Sequence, residues 1–429
     1  MSFQKQIVQS LLWRGSYFTS ILVLNIFLSR YLGAAQTGWI FYISTNFSFI
    51  LILAGLTIEN AVNYYASNKE IEQEKLAWFS LLWSVMVGVA ALIFLWIFYQ
   101  NLTGAPYADK TRYVLYGVSY VAGIQLTNFF TVLFYAKKKF VLPNVLMAAL
   151  NVVFILLIAF QHASTRATLI TPLYFSLFAG TGIVLAAAFK WSANSWRKIV
   201  FPSRLQVKLL VRYAMLALTA NVIFFLVYRV DYWFVERYCS AAALGNYIQV
   251  SKLGQMLLIF PTIISGVVFP HTAGGMERVE MKDNILRIGR FTTLLYLLFF
   301  VVVAVSGKWL FPVVFGPTYN MMYLPFLVLL PGIWALSNLF VLSAYFGGTN
   351  QVKTNITGAA IGLVIILLGD VLFIKTYGIV AAAIISTAGY LANFGYAFYR
   401  IQKEHPVSIK EYWTINKEDF KWISAALQR

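Results

Sequence analysis

Twelve apolar runs dominate this chain. They fall at roughly 8–28, 38–58, 77–98, 113–135, 141–160, 170–190, 208–234, 246–270, 292–315, 324–345, 354–374 and 378–399. Each is about 20 residues long, and at 1.5 Å of rise per residue such a helix crosses a hydrocarbon core of about 30 Å. A soluble globule could not hide them. Of the 429 residues 60% are hydrophobic and 11% are charged, against about a quarter charged in soluble domains. The sequence therefore reads as an all-α membrane protein of about twelve transmembrane helices.

The distribution of charge orients those helices. The formal net charge of +18 would point to nucleic acid in a soluble protein. Here the basic residues sit in short loops between apolar runs, so the positive-inside rule accounts for them and no nucleic-acid partner is expected. With the N-terminus in the cytoplasm, inside segments hold about 24 of the 33 Lys and Arg, including Lys137, Lys138, Lys139 and the stretch from Lys190 to Arg212. Outside loops hold about seven, among them Arg30, Arg237 and Lys375. Both termini are then cytoplasmic, consistent with an even number of spans, and anionic lipid headgroups are natural neighbours of the inner face. The N-terminus lacks a short apolar core followed by a small-residue cleavage site, so the first span is expected to be retained. Aromatics, 17% of the chain, are read first as interfacial belts and second as lining for a sugar pathway. A single cysteine, Cys239, excludes an internal disulfide and a cysteine-rich metal site.

The chain also divides and repeats. The longest cytoplasmic connection, 191–207, separates an N-terminal bundle (1–190) from a C-terminal bundle (208–400), followed by a tail (401–429). The segment SRYLGAAQTG from Ser29 resembles ERYCSAAALG from Glu236, and both join the first helix of a half to the second. NVLMAALNVVFILL from Asn144 resembles NITGAAIGLVIILL from Asn355, in the fifth helix of each half. Six helices repeated in one orientation imply a pseudo-twofold axis along the membrane normal, with substrate handled between the halves. The tail interleaves Trp, Ile and Phe with Lys and Glu, as an interfacial amphipathic helix or a disordered basic tail would.

Chemistry is sparse. His162, His271 and His405 lie at or beyond helix ends, away from carboxylates at catalytic or metal-ligand spacing. There is no Walker loop, dinucleotide fingerprint or HExxH, so neither an enzyme, a cofactor nor ATP-driven pumping is expected. What stands out is charge inside apolar spans, which is costly and by default faces a cavity or a partner. Arg229 and Asp231 lie in span seven, Lys252 in span eight and Asp370 near the outer end of span eleven. Two residues apart, Arg229 and Asp231 point to different sides of their helix and do not neutralise each other. Asp231 is expected to meet a cation on another helix, with Lys252 preferred, leaving Arg229 for an anion or for Asp370. The group is either a packing cluster of interhelical ion pairs or part of a transport path. Arg14, early in span one, and Glu59, closing span two, sit near the inner ends of the first bundle. They either reach headgroup water or form an entry site for a charged headgroup, with Glu59 as an ion-coupling carboxylate. Pro261, Pro270, Pro312, Pro325 and Pro331 interrupt helices of the second bundle and offer hinges.

Taken in order, the segments LSRYLGAAQTGWIFYIS, LAGLTIENAVNYYAS, YRVDYWFVERY, ALGNYIQVSKL, LFPVVFGPTYNMMYLPFLVLLPGIW and TYGIVAAAIISTAGYL resemble the polysaccharide transporter family. That family includes the Wzx-type O-antigen flippases. It shares a superfamily with multidrug-and-toxin-extrusion carriers and lipid II flippases. The chain departs from the family habit at Ile374–Gly378, which lacks the usual proline, and at Val380–Ala383, which lacks a second glycine. The resemblance implies two six-helix bundles around a cavity open to one side at a time, in a bacterial inner membrane. It implies a flippase for undecaprenyl-pyrophosphate-linked oligosaccharides, working beside polysaccharide polymerase and ligase machinery. Arg229, Asp231, Lys252 and Arg14 become candidates for the substrate pathway, and Glu59, Asp231 and Asp370 for coupling to a proton or sodium gradient. A drug or metabolite exporter of the same superfamily and a lipid II flippase are the competing readings. A membrane polymerase, ligase or acyltransferase would need a large external loop or a buried histidine.

Overall fold

The computed structural model describes residues 3–102, 109–193, 199–273, 278–405, 408 and 411. Most of the tail, including the proposed amphipathic segment, lies outside the described residues. All regular structure among the described residues is helical, since a helix satisfies its own backbone in lipid. The helices are α1 (Phe3–Gly55), α2 (Glu59–Ser67), α3 (Gln73–Leu102), α4 (Lys110–Ala136), α5 (Val141–Ala159), α6 (Ala163–Ala193) and α7 (Arg204–Tyr238). They continue with α8 (Ala241–Leu257), α9 (Ile259–Ala273), α10 (Arg278–Phe315), α11 (Tyr323–Gly348) and α12 (Val352–Glu404).

Nine of these, among the described residues, are long and apolar enough to cross a membrane. Three chain features bring nine to the twelve spans read from the sequence. α1 and α12 each run 53 residues, which as straight helices would measure about 80 Å. Instead α1 breaks at Gly33 (φ 70°, ψ 176°) and α12 at Gly378 (φ 62°, ψ −147°), conformations that glycine adopts without a Cβ clash. Across the first break Thr37 Oγ1 donates to Leu28 O at 3.2 Å, although nine residues of straight helix would part them by about 13 Å. The third feature is the pair α8 and α9, one span interrupted at Leu258.

α12 is a helical hairpin built on glycine. A Cβ on Gly362 would lie 2.8 Å from the carbonyl oxygen of Gly389, and one on Gly358 would lie 2.4 Å from Asn393 Oδ1. Small residues let the two backbones approach in the way lipid-embedded helices pack best. The missing family proline thus falls in a turn whose geometry Gly378 supplies.

The chain forms two compact units, Met1–Val222 and Ile223–Arg429, and α7 contributes to both. In the first, α4 packs against α3 and α6, and α1 against α5. Leu210 and Ala214 from α7 join a core with Phe129, Phe130, Phe134 and Phe189. In the second, α11 packs against α8, α9, α10 and α12. The repeat recurs in local detail. The first and second spans of each unit meet at Gly33 and at Ser240, the latter capping α8 through Ala243 N. The second span of each unit is broken, at Leu56–Thr57 and at Leu258. The matched asparagines Asn144 and Asn355 both reach the preceding helix, at Tyr135 and at the Ser343 carbonyl.

Candidate functional site

In the N-terminal unit the site begins with a broken helix. α1 stops at Gly55, and Leu56 and Thr57 follow with φ of 55° and 50°. Two consecutive residues with side chains in the left-handed region are costly, a β-branched threonine especially, and such strain gathers at functional sites. The Gly55 carbonyl closes a turn with Ile58 N and also accepts from Trp83 Nε1, each at 3.2 Å. α2 then starts with Glu59, whose carboxylate accepts a long contact from Gln125 Nε2 at 3.5 Å. The break thereby turns Glu59 into a cavity of about 420 Å³ lined also by Arg14, Tyr17, Thr127, Tyr135 and Asn144.

This brings Arg14 and Glu59, 45 residues apart in sequence, to one space. They do not pair. The Arg14 guanidinium carbon lies 4.6 Å over the Tyr135 ring, a cation–π contact that positions the charge without cancelling it. The Tyr135 hydroxyl is fixed by Asn144 Nδ2 at 2.9 Å, which also donates to Phe140 O at 2.7 Å. Tyr135 and Gln125 carried no signal in the sequence beyond being polar in apolar runs, and Asn144 only its match to Asn355 in the repeat.

The C-terminal unit holds the other charges. Asp231 and Asp370 are 1% and 0% exposed. One oxygen of Asp231 accepts from the Tyr247 hydroxyl and from Ser386 Oγ, the latter at 3.0 Å. The expected Lys252 partner is replaced by these two hydroxyls. Tyr247 stands on the facing helix α8, and Ser386 comes in from the second arm of α12, which linear spacing could not reveal. The second oxygen of Asp231 and both oxygens of Asp370 receive no hydrogen bond from the described residues. The two carboxyls are near enough to repel each other.

The cations are turned to other partners. Arg229 donates to Gln255 Oε1 at 2.9 Å and to the Tyr232 hydroxyl at 3.3 Å, and its guanidinium lies 5.4 Å from the Tyr232 ring centre. It remains in the electrostatic reach of both Asp231 and Lys252 without an ion pair to Asp231. Of the four charges, Asp231 therefore takes hydroxyl donors and Arg229 takes Gln255, while Asp370 receives no donor from the described residues. Three buried carboxyl oxygens without protein donors suit a proton or a small hard cation, which prefers oxygen ligands, because unpaired carboxylates are expensive in low dielectric.

No curated relative matches the chain in sequence. Solved structures match its fold over nearly its whole length. A lipid II flippase MurJ in an inward closed conformation gives a TM-score of 0.72 at 14% identity, covering 98% of this chain and 96% of that one. An inward-facing multidrug resistance MATE family transporter of the MOP superfamily gives 0.66 at 15% identity, covering 95% and 97%. The Vibrio cholerae MATE transporter VcmN in its bent form gives 0.62 at 16% identity, covering 96% and 98%. These identities speak for the fold alone: a multi-pass, two-lobed, twelve-helix membrane protein. The sequence itself matches the family model for polysaccharide biosynthesis proteins over residues 27–324, well over half of the chain, and the protein belongs to that family.

Proposed function

We propose that this protein is a flippase that moves undecaprenyl-pyrophosphate-linked oligosaccharide units from the cytoplasmic to the periplasmic leaflet by alternating access, serving O-antigen, capsule or exopolysaccharide synthesis. The observation that carries the reading is Arg14. Its charge is positioned by Tyr135, makes no ion pair with another described residue, and is open to a cavity. Arg14 is exposed into that cavity, a guanidinium set in an apolar span attracts an anion, and a pyrophosphate headgroup supplies one. Membership of a polysaccharide biosynthesis family supplies the sugar. In this reading the protein is a carrier rather than an enzyme, sits in a bacterial inner membrane with both termini cytoplasmic, and hands its cargo to polymerase or ligase machinery. The acid pair Asp231 and Asp370 is the coupling site for a proton or sodium ion, with Arg229 and Lys252 as a second cationic stage of the path. Likeness in fold to a lipid II flippase and to a multidrug resistance transporter keeps a lipid II flippase and an ion-coupled exporter as rivals, the exporter being the one of a different class of cargo.

Complementation separates the proposed flippase from the exporter. Deletion of the chromosomal gene, with the committing glycosyltransferase under control, is expected to trap lipid-linked intermediate on the cytoplasmic face and to abolish surface glycan. Wild type is expected to clear it, and Arg14→Ala, Asp231→Ala and Arg229→Ala at matched membrane levels to fail. Unchanged glycan and intermediate after deletion, in a strain without a redundant flippase, would overturn the flippase reading in favour of the exporter.

A further inference from the structure

α2 presents an uncharged polar face that the proposed pyrophosphate site does not use. Asn60, Asn63, Tyr64 and Ser67 follow the i, i+3, i+4, i+7 spacing of one helix face. The opposite face, Ala61, Val62, Tyr65 and Ala66, is buried in the core of the unit. Together with Asn68, and with Tyr213 and Ala217 of α7, the polar face lines a second cavity of about 410 Å³, within the roughly 300–1,000 Å³ typical of ligand sites. The Tyr64 and Tyr213 rings stack with centres 5.1 Å apart and planes 24° apart. The side-chain amides of Asn60, Asn63 and Asn68 make no hydrogen bond to other described residues.

The composition of this cavity selects its ligand. Among the described residues no acidic or basic side chain lines it, so it suits neither a phosphate nor a metal ion. Its amides offer a donor and an acceptor each, the pairing that neighbouring hydroxyl groups on a sugar ring require. Its tyrosines offer an apolar body with a polar tip, against which the C–H face of a sugar packs. We infer that the groove between α2 and α7 binds a neutral sugar residue of the transported glycan. The inference rests on the flippase reading for the source of that sugar, and α2 links the two sites: Glu59 lines the Arg14 cavity and the next residue, Asn60, lines the groove. The two cavities thus meet the same helix at consecutive residues.

Two probes separate the sites on the purified full chain in nanodiscs. One is the repeat-unit oligosaccharide released from the surface polysaccharide of the source bacterium, followed by saturation-transfer NMR. The other is undecaprenyl pyrophosphate without sugar, followed by tryptophan fluorescence. Tyr64→Ala, Asn63→Ala and Tyr213→Ala are each expected to weaken the oligosaccharide about tenfold, the loss of one or two hydrogen bonds or a ring contact, and to leave undecaprenyl pyrophosphate unchanged, which also certifies folding. Tyr64→Phe, which keeps the ring, is expected to retain most of the affinity, and Arg14→Ala to weaken only undecaprenyl pyrophosphate. Oligosaccharide that does not bind wild type, or binds all groove variants equally, overturns the inference while bound undecaprenyl pyrophosphate upholds the flippase reading. Oligosaccharide that binds through the groove while undecaprenyl pyrophosphate does not bind upholds the groove and overturns the pyrophosphate reading.

Discussion

One substitution, glycine to alanine, has three different expected outcomes along α12. At Gly395 an added Cβ meets nothing within 4 Å and the backbone is helical. Alanine there removes only unfolded-chain entropy and should stabilise by about 0.5–1 kcal/mol. At Gly378 the nearest atom is Cys239 Sγ at 3.9 Å, so space is not the obstacle. The backbone is: φ of 62° with ψ of −147° belongs to a region that glycine nearly monopolises, and alanine should cost about 1–3 kcal/mol. At Gly362 the backbone is helical, but the Cβ would lie 2.8 Å from the Gly389 carbonyl. The arms of the hairpin must part, at about 1–3 kcal/mol for overpacking. For a unit of roughly 200 residues each kcal/mol moves the melting temperature by about 2–4 °C. Thermal unfolding of the detergent-purified variants, read by tryptophan fluorescence, should raise the midpoint for Gly395→Ala and lower it for the other two. Gly362→Ala should be relieved by a compensating change on the facing arm, whereas Gly378→Ala should not. Equal midpoints for all three, or a destabilised Gly395→Ala, would refute the hairpin reasoning.

Two further predictions concern charge and orientation. If the acid pair takes up a coupling ion, replacing choline with sodium at constant ionic strength, or lowering the pH, should raise the wild-type melting temperature, by about 2.7 kcal/mol of stabilisation at a hundredfold excess over Kd; Asp370→Asn should abolish the response, and a variant that keeps it removes Asp370 from coupling. Cys239 is the single cysteine, and it is half-buried at the end of α7; membrane-impermeant maleimide should label it slowly from outside the cell, and a Cys239→Ser, Lys138→Cys chain should be labelled only after the inner face is opened, the reverse pattern inverting the proposed topology.

Length and hydropathy alone determined that the chain folds as about twelve membrane helices, because lipid leaves the backbone few alternatives. The match of SRYLGAAQTG to ERYCSAAALG likewise located a joint that recurs in both units. Charge in apolar runs marked Arg14, Glu59, Arg229, Asp231, Lys252 and Asp370, since each is conspicuous by its cost. Their partners were not legible. Tyr247 and Ser386 meet Asp231 across 16 and 155 residues of sequence, and uncharged hydroxyls leave no mark in hydropathy. Aromatic use was half legible: the largest fully buried side chains are all Tyr and Phe, among them Tyr113, Tyr232, Tyr247 and Tyr319, so many rings fill cores rather than interfacial belts. The gap between the last two spans was read at 374–378, where Gly378 breaks α12, but the left-handed backbone at Leu56–Thr57 was invisible for another reason. Backbone conformation there is imposed by what packs on either side, and only the tertiary structure decided that Glu59 turns into the cavity of Arg14 while Asn60 and Asn63 face a groove of their own.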